Sequence, residues 1–381
     1  MSELTDHTVR STPSGVPGRH VTARAAEVPP LVMRCGAFGD IVLLTVLLQQ
    51  LSVRFGKPVD VISSGAWTRP LLEGQGAVGR LCILRSRRTP YWLSIEQHRL
   101  VAWLRERGAG PTWFCDLGVG RELLTHAGIP DDYVCDSTNF PWVRGESFAD
   151  RYLRLGSLTP SAFDGLLPAA KPGVARAARL DVAAAARREL DYWLARRRLA
   201  GRPYVVIHPG SRHVARRWLR PRSGASKYWP EAHWAQVVRG VRELRPDAAI
   251  LFSGAGAEYA LNAEIIRLAG ASDLHNVADD LPITTLLPLL ERAESMICVD
   301  TGPAHAAAAL GCPTVALFGT ADAELYRPGG ATTPALALTG TVDGRQNILG
   351  IRPESVIAAW IDLAGGIQKV RDSVKSSVTR G

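Results

Sequence analysis

Residues 296–305 read MICVDTGPAH, and this stretch decides the fold class. Its first four residues are apolar, as in a buried strand, and a polar turn at Asp300 and Thr301 follows directly. Pro303 suits the first turn of a helix, and the run from 303 to 310 is mostly alanine. A strand, a tight turn and a helix make up the repeating half of a βαβ unit.

The same alternation of short apolar runs and helical patterns recurs along the chain. Strands are predicted at 31–35, 59–62, 81–84, 113–116, 133–134, 204–208, 248–252, 296–299 and 314–318. Helices are predicted at 41–53, 92–107, 182–199, 230–244, 257–269, 303–310 and 353–363. We therefore expect an α/β protein of two Rossmann-like domains that face each other across a cleft.

Composition along the chain predicts four parts. Residues 1–29 are rich in Ser, Thr, Pro, Gly and charge, which is typical of a disordered leader. An N-terminal Rossmann-like domain is expected over 30–180 and a second over 181–345. Residues 346–381 are expected to form a helix that packs back onto the N-terminal domain, followed by a tail.

The overall composition excludes a disordered, collagen-like or disulfide-stapled protein, since 46% of the 381 residues are hydrophobic and 21% charged. Lys and Arg exceed Asp and Glu by 45 − 36 = 9, which favours anionic partners such as phosphates, nucleic acid or an acidic membrane surface. The six cysteines show no metal-binding spacing, and five of them lie within or beside apolar runs, which predicts buried, reduced thiols in the cytoplasm and no metal site. Gln49 interrupts the longest apolar run, so no membrane span is expected.

Ligands of such sheets bind beyond the carboxyl ends of the strands, so chemistry is expected in the strand-end loops. The helix that begins at Gly302 and Pro303 presents free N–H groups to a phosphate, and Thr301 and His305 could add donors. Alternatively, Asp300 or Thr301 merely caps the helix and His305 is a core histidine. Capping alone would not require all five residue types together, so we favour the phosphate site.

Other strand-end loops carry three more candidates. Ser211 offers a hydroxyl after a glycine turn, and Lys227 precedes a helix start from which it could point into the same cleft. Glu258 either binds ribose hydroxyls or is a first-turn acid favoured by the helix dipole. The basic segment 212–227 is a loop over a diphosphate, a nucleic-acid patch or a solvated charged loop.

The turn after the first strand, residues 36–40, reads GAFGD. Its two glycines, one of them Gly39, suit a sharp turn that approaches a ligand. Asp40 either caps the following helix or places a carboxylate at the mouth of the cleft, where it could take a proton from a hydroxyl. The local pattern does not decide between these two roles.

In their order along the chain, these motifs resemble glycosyltransferase family 9, the ADP-heptose:lipopolysaccharide heptosyltransferases. The shared motifs are GD at 39–40, HPGS at 208–211, KYWP at 227–230, GAGAE at 254–258 and DTGPAH at 300–305, the last continuing to Gly319. The resemblance implies a fold of the GT-B type and an inverting, metal-independent transferase without a cofactor. Its nucleotide sugar, ADP-heptose, would be a substrate bound mainly by the C-terminal domain.

The resemblance also implies roles for single residues. Asp40 would deprotonate the acceptor hydroxyl, Lys227 would neutralise the departing diphosphate, and Glu258 would hold the ribose. Thr301, Gly302 and His305, with the helix N-terminus, would cradle the phosphates, and Asp300 would contact the sugar or order the turn. Gly39, Ser211 and Pro303 would be further substrate-binding residues. The acceptor would be a saccharide, either a lipopolysaccharide core, which Arg85, Arg87 and Arg88 could meet, or a small secondary-metabolite glycoside.

Two alternative functions agree with part of the same sequence features. A transferase of the same fold could use a UDP-, GDP- or other ADP-sugar. A non-enzymatic protein could bind nucleic acid through 212–227, but Asp40, Glu258 and Asp300 would then stay unexplained and would repel phosphodiesters. We therefore expect no nucleic-acid partner. A basic surface could still hold the protein peripherally at the anionic inner face of the membrane.

Overall fold

The computed structural model describes residues 23–86, 89–116, 120–171, 177–211, 226–330 and 335–363. Its first sheet contains β1 (Leu31–Met33), β2 (Val59–Ser64), β3 (Val78–Leu84), β4 (Thr112–Phe114) and β5 (Val134–Asp136). Its second sheet contains β6 (Tyr204–His208), β7 (Ala249–Phe252), β8 (Leu274–Asn276), β9 (Ser295–Val299), β10 (Thr314–Phe318) and β11 (Ala335–Thr339). A short hairpin pairs β12 (Thr341–Val342) with β13 (Arg345–Gln346).

Helices follow most strands. In the first half these are α1 (Ala23–Glu27), α2 (Phe38–Phe55), α3 (Thr68–Leu72), α4 (Ile95–Arg107), α5 (Arg121–Ala127) and α6 (Phe148–Gly156). In the second half these are α7 (Ala184–Arg196), α8 (Glu231–Leu244), α9 (Tyr259–Ala269), α10 (Ile283–Arg292), α11 (Gly302–Ala309), α12 (Ala323–Tyr326) and α13 (353–363). Single turns of 3₁₀ helix occur at Tyr91–Leu93, Asp131–Tyr133, Ser137–Asn139, Ser161–Phe163, Gly256–Glu258 and Ile348–Gly350.

Both sheets are parallel, with strand orders β3-β2-β1-β4-β5 and β11-β10-β9-β6-β7-β8. Their central strands are continuous apolar runs buried along their whole length, which is typical of parallel sheets covered by helices on both faces. The predicted α/β architecture of two Rossmann-like domains is therefore confirmed. The predicted domain boundaries at residues 180 and 345 stay predictions.

Helix α2 forms the centre of the N-terminal core. Its apolar residues from Ile41 to Leu51 are buried, and it packs against α6 and, across the cleft, against α11. Among the described residues it is the one helix long and apolar enough to cross a membrane, but 61% of its most apolar window is buried inside the protein. This burial is that of a core helix.

The prediction that residues 1–29 form a disordered leader is wrong for the C-terminal end of that segment. Residues 1–22 lie outside the described residues, whereas 23–27 form α1. Ala25 is buried, and the Lys57 ammonium donates a hydrogen bond to the Glu27 carbonyl oxygen at 2.7 Å. These contacts tie the segment to the domain.

Helix α13 packs on the C-terminal sheet, which corrects the prediction that it packs back onto the N-terminal domain. The Trp360 indole N–H donates to the Ser295 hydroxyl at 2.8 Å, and Ile357 lies against Gly240 of α8. The helix packs there because its apolar face is part of the hydrophobic core around Trp229. The predicted tail after 363 lies outside the described residues.

Candidate active site

A cavity of about 300 Å³ lies where the second sheet faces the first domain. It is lined by Phe38, His208, Ser211, Ser253, Gly254, Ala255, Glu258, Leu281, Ile283, Leu286, Thr301 and Pro303. The end of β6 and the loops after β6, β7 and β9 supply the polar residues, and α10 together with Leu281, two residues before it, supplies an apolar wall. The predicted residues Ser211, Glu258, Thr301 and Pro303 therefore share one cavity.

The start of α11 is open to a ligand at Thr301. This residue is the N-cap in extended conformation, with φ −153° and ψ 162°, and its side chain makes no capping hydrogen bond. Pro303 occupies the first turn, as predicted. The alternative in which the Thr301 side chain caps the helix is therefore wrong, and its hydroxyl lies at the cavity wall beside the positive end of the helix dipole.

Lys227 and Asp300 form a close ion pair beside this helix start. The Lys227 ammonium lies 2.6 Å from Asp300 Oδ2 and donates to the Asp300 carbonyl oxygen at 2.8 Å. Asp300 is buried, and its carboxylate binds the Lys227 ammonium rather than capping α11. Gly319 makes this possible, because a Cβ there would collide with the carbonyl oxygen of Ser226.

His305 lies at the contact between the two domains. A Cβ added to Gly39 would be 2.9 Å from His305 Cδ2, and one added to Gly302 would be 2.7 Å from the Cβ of Phe38. The buried His305 Nδ1 has no hydrogen-bond partner within the described part of the chain, so it is not the satisfied core histidine of the alternative interpretation. Burial lowers its pKa, although the negative charges of Asp300 and Asp40 oppose this shift.

Asp40 stands on the opposite wall, in the first turn of α2. The N-cap of this helix is Ala37, not Asp40, and the Ala37 N–H donates to Asp40 Oδ2 at 2.8 Å. Arg34 Nη2 lies 3.2 Å from Asp40 Oδ1, and Arg34 Nη1 is fixed by a 2.7 Å hydrogen bond to the Cys115 carbonyl oxygen. The Asp40 side chain keeps 29% exposure, so it can still accept a further hydrogen bond.

Glu258 is buried at the far end of the cavity. Its Oε2 accepts the Ala255 N–H at 2.7 Å, and its carboxylate lies so close to Gly210 that a Cβ at that position would collide with it. His208 Nδ1 and the Ser253 hydroxyl are 2.9 Å apart. Burial lowers the pKa of His208, and the charge of Glu258 opposes this shift.

Sequence reasoning missed several residues around the site. Arg34 was visible as a charge directly after the apolar run of β1, and the wall of Ile283 and Leu286 as apolar spacing in LPITTLLPLL at 281–290. Tyr326 carries no local signal. Burial raises the pKa of its phenol, and the charges of Asp40 and Asp300 add to this shift.

Some basic segments that the sequence predicted near the cleft are not found in the site among the described residues. Segment 212–225, with most of the basic loop, and residues 87–88 lie outside them. Arg85 is exposed at the end of β3. All six cysteines are free and five are buried, in agreement with the expected thiols. Among the described residues, no group of three or more His, Cys, Asp or Glu side chains is arranged to hold a metal ion.

Known proteins resemble this chain in sequence and in fold. The family model of glycosyltransferase family 9 (heptosyltransferase) matches residues 159–340. Lipopolysaccharide heptosyltransferase 1 of Pseudomonas aeruginosa is 34% identical over 133 residues, which is 34% of this chain and 33% of that protein. The chain thus spans about a third of the length of this curated relative in the match.

Two solved structures share the fold over most of the chain. ADP-heptose lps heptosyltransferase II of E. coli superposes with a TM-score of 0.66 at 18% identity, covering 89% of this chain and 99% of the other. A family 9 glycosyltransferase from Veillonella parvula gives a TM-score of 0.70 at 16% identity with the same coverage. These comparisons confirm the resemblance to the family and the fold of the GT-B type.

Proposed function

We propose that this chain, whose residues 159–340 belong to glycosyltransferase family 9, transfers a heptose from ADP-heptose to a hydroxyl of a saccharide acceptor. The transfer inverts the anomeric carbon and uses no metal. One observation carries the proposal: Asp40 on one domain faces Lys227, Asp300 and His305 on the other, beside a cavity that holds Glu258. A base and a leaving-group site on opposite walls are what a displacement requires.

The cavity suits a nucleoside diphosphate. Ile283 and Leu286 offer an apolar wall for a base, and the Glu258 carboxylate has acceptor capacity left for ribose hydroxyls. An adenine nucleotide is proposed because the solved E. coli relative is described as an ADP-heptose enzyme. A tighter complex with UDP or GDP would keep the transferase and change the donor.

Positive charge for the leaving diphosphate comes from the protein itself. The start of α11, the Thr301 hydroxyl and the Lys227 ammonium surround one point of the cleft, and each stabilises negative charge there. Lys227 has three donors, of which the structure uses two on Asp300, so one remains for a phosphate oxygen. Nδ1 of His305, which has no hydrogen-bond partner among the residues that the structure describes, is a further group for the ligand.

The reaction balances with Asp40 as the base. Asp40 takes the proton of the acceptor hydroxyl as that oxygen bonds to the anomeric carbon from the face opposite the diphosphate. The bond from this carbon to the phosphate oxygen breaks, and its electron pair leaves with ADP. Attack from the opposite face inverts the configuration. Arg34 holds the carboxylate in place, since it lies 3.2 Å from Oδ1.

The cytoplasm is the proposed location. All six cysteines are free thiols, and burial raises the pKa of Cys115 and Cys312 to about 12, so neither is an activated thiolate. Free thiols persist in a reducing compartment. The ADP-sugar donor of the proposed transfer would be available to the protein in the cytoplasm.

The test is transfer from ADP-heptose to a panel of saccharide acceptors, with the product anomer read by NMR. We expect an inverted product, activity that survives EDTA, and loss of turnover in Asp40→Asn. Asp131→Asn is the matched control, because Asp131 is a 91% exposed carboxylate of the same domain. A retained configuration, or full turnover in Asp40→Asn, would overturn the proposal.

A further inference from the structure

An exposed hairpin follows the last strand of the second sheet. Its strands β12 and β13 pair in antiparallel fashion. The turn between them consists of Asp343 and Gly344, with φ 50° and 72°, the two left-handed residues that a tight hairpin turn requires. All residues of 341–346 are exposed, and the match to the family model ends at residue 340. The family match therefore gives no role to this hairpin.

The base of the hairpin is fixed by backbone packing. A Cβ added to Gly340 would lie 2.3 Å from the carbonyl carbon of Gly350, so the two chain segments touch directly. Immediately after this point, the Ile351 carbonyl oxygen accepts the Trp229 indole N–H at 3.1 Å. Trp229 is two residues from Lys227, so the chain that follows the hairpin is tied to the segment that carries this lysine.

Gln346 joins the hairpin to the loop that follows β10. Its Nε2 donates to the carbonyl oxygens of Gly319 at 2.5 Å and of Ala321 at 2.8 Å. A side-chain amide nitrogen has two N–H donors, so these two bonds use both of them. The exposed hairpin thus holds the loop between β10 and α12 through one side chain.

This loop supports the backbone of Lys227. Gly319 is buried, and a Cβ added to it would lie 1.7 Å from the Ser226 carbonyl oxygen and 3.8 Å from the Lys227 backbone nitrogen. The loop therefore packs directly on the peptide bond before Lys227. The Lys227 ammonium lies 2.6 Å from Asp300 Oδ2. These contacts run without a gap from the Gln346 amide to the Lys227 ammonium.

We propose that Gln346 is a positioning residue of the donor site. It fixes the loop at Gly319, this loop fixes the backbone of Lys227, and the ammonium is thereby held on Asp300 at the start of α11. A lysine has a flexible four-carbon stem, so the place of its ammonium depends on how its backbone is held. That the ammonium meets a diphosphate there rests on the proposed function, whereas its position on Asp300 does not.

Acetylation of the full chain with acetic anhydride tests the position of Lys227 without any nucleotide. Peptide mapping by mass spectrometry follows the rate at each lysine. Gln346→Leu removes both donors at similar size, so Lys227 should react about threefold faster as its pairing with Asp300 loosens. Lys57 is the internal reference. An unchanged rate at Lys227 would overturn the proposal.

Val342→Ser is the matched control for this variant. Val342 belongs to the neighbouring cross-strand pair of the hairpin, whose side chains point to the face opposite that of Gln346. It should change neither the rate at Lys227 nor the affinity for ADP. If Gln346→Leu does not fold, Gln346→Asn replaces it, because it keeps the amide on a stem that is too short to reach both carbonyl oxygens.

Titration with ADP tests whether the effect of Gln346 passes through Lys227. Gln346→Leu should weaken ADP binding about fivefold in the wild-type background and less than about twofold in the Lys227→Met background. A purely structural role would give the same loss in both, and equal losses would contradict the proposal. A wild type that binds no ADP would contradict the proposed donor site, and the acetylation rates would still decide whether Gln346 positions Lys227.

Discussion

The two sheet edges that face the cleft hold their polar groups in opposite ways. On the C-terminal edge Asp300, Glu258 and His208 are buried and paired, and Lys227 is fixed on Asp300. On the N-terminal edge Asp40 stays 29% exposed, held by Arg34 at its side. The C-terminal edge is thus held together by pairs within the protein, whereas the N-terminal edge is open.

This difference matches the two tasks of the proposed reaction. A charged leaving group is best stabilised by donors that are already in place, because no reorganisation is then needed during the reaction. An acceptor hydroxyl has to enter and leave, so its base needs access. If nucleotide affinity depends on one edge and turnover on the other, variants of the two edges should lose these two properties separately.

The largest effect is expected on the N-terminal edge. Asp40→Asn removes the proposed base, so turnover should fall roughly 10³-fold. Affinity for ADP should not change, because Asp40 lies on the wall opposite the cavity. Steady-state transfer and calorimetric titration of the same variant measure both. A loss of ADP affinity as large as the loss of turnover would break the division between the edges.

On the C-terminal edge, Lys227→Met should weaken ADP binding about 10- to 100-fold, because a charge-assisted contact to phosphate is lost. The matched control is Lys57→Met, since Lys57 is a lysine of the first domain whose ammonium donates to the backbone oxygen of Glu27. Calorimetric titration of both variants with ADP measures the two affinities. Equal affinity in the two variants would contradict the role of Lys227.

A smaller effect is expected from Gly319→Ala. The added methyl group would collide with the Ser226 carbonyl oxygen and displace the neighbouring Lys227, so ADP affinity should fall about tenfold. Gly329→Ala is the control, because a Cβ at Gly329 meets nothing within 4 Å. If both variants bind ADP like the wild type, the glycine does not position the lysine.

The smallest effect concerns pH. Burial lowers the pKa of His208 and His305 below the ordinary 6.5, so between that value and the folded pKa the unfolded chain binds more protons than the folded one. The free energy of unfolding should therefore be fully kept above pH 6.5 and fall as the pH drops through the folded pKa. Urea unfolding at several pH values measures this. His305→Asn should flatten the dependence, and an unchanged slope would contradict the buried neutral ring.

Continuous apolar runs made most strands predictable. Strands 204–208 and 314–318 begin and end where the sequence pattern places them. The three-residue strand β8 and the helix α10 were missed, the first because it is short and half-buried, the second because Pro282 and Pro288 interrupt its pattern. The open N-terminal edge gave few signals beyond Gly39 and Asp40.

The position of the candidate site residues was predictable where local chemistry dictates residue type. Glycines, a proline and acids after apolar strands pointed to Glu258, Asp300 and Thr301, and their surroundings agree with the strand-end position. Phe38 and Tyr326 could not be found in this way. Their place depends on how the two domains face each other, which long-range packing decides.

Calorimetric titration of the full chain with ADP, UDP and GDP is the decisive experiment for the nucleotide site. ADP should bind in the micromolar range and UDP and GDP less well, and Lys227→Met should lose affinity while Asp40→Asn keeps it. Tighter binding of UDP or GDP would contradict the donor, and no binding of any of the three would contradict the cleft as a nucleotide-sugar site.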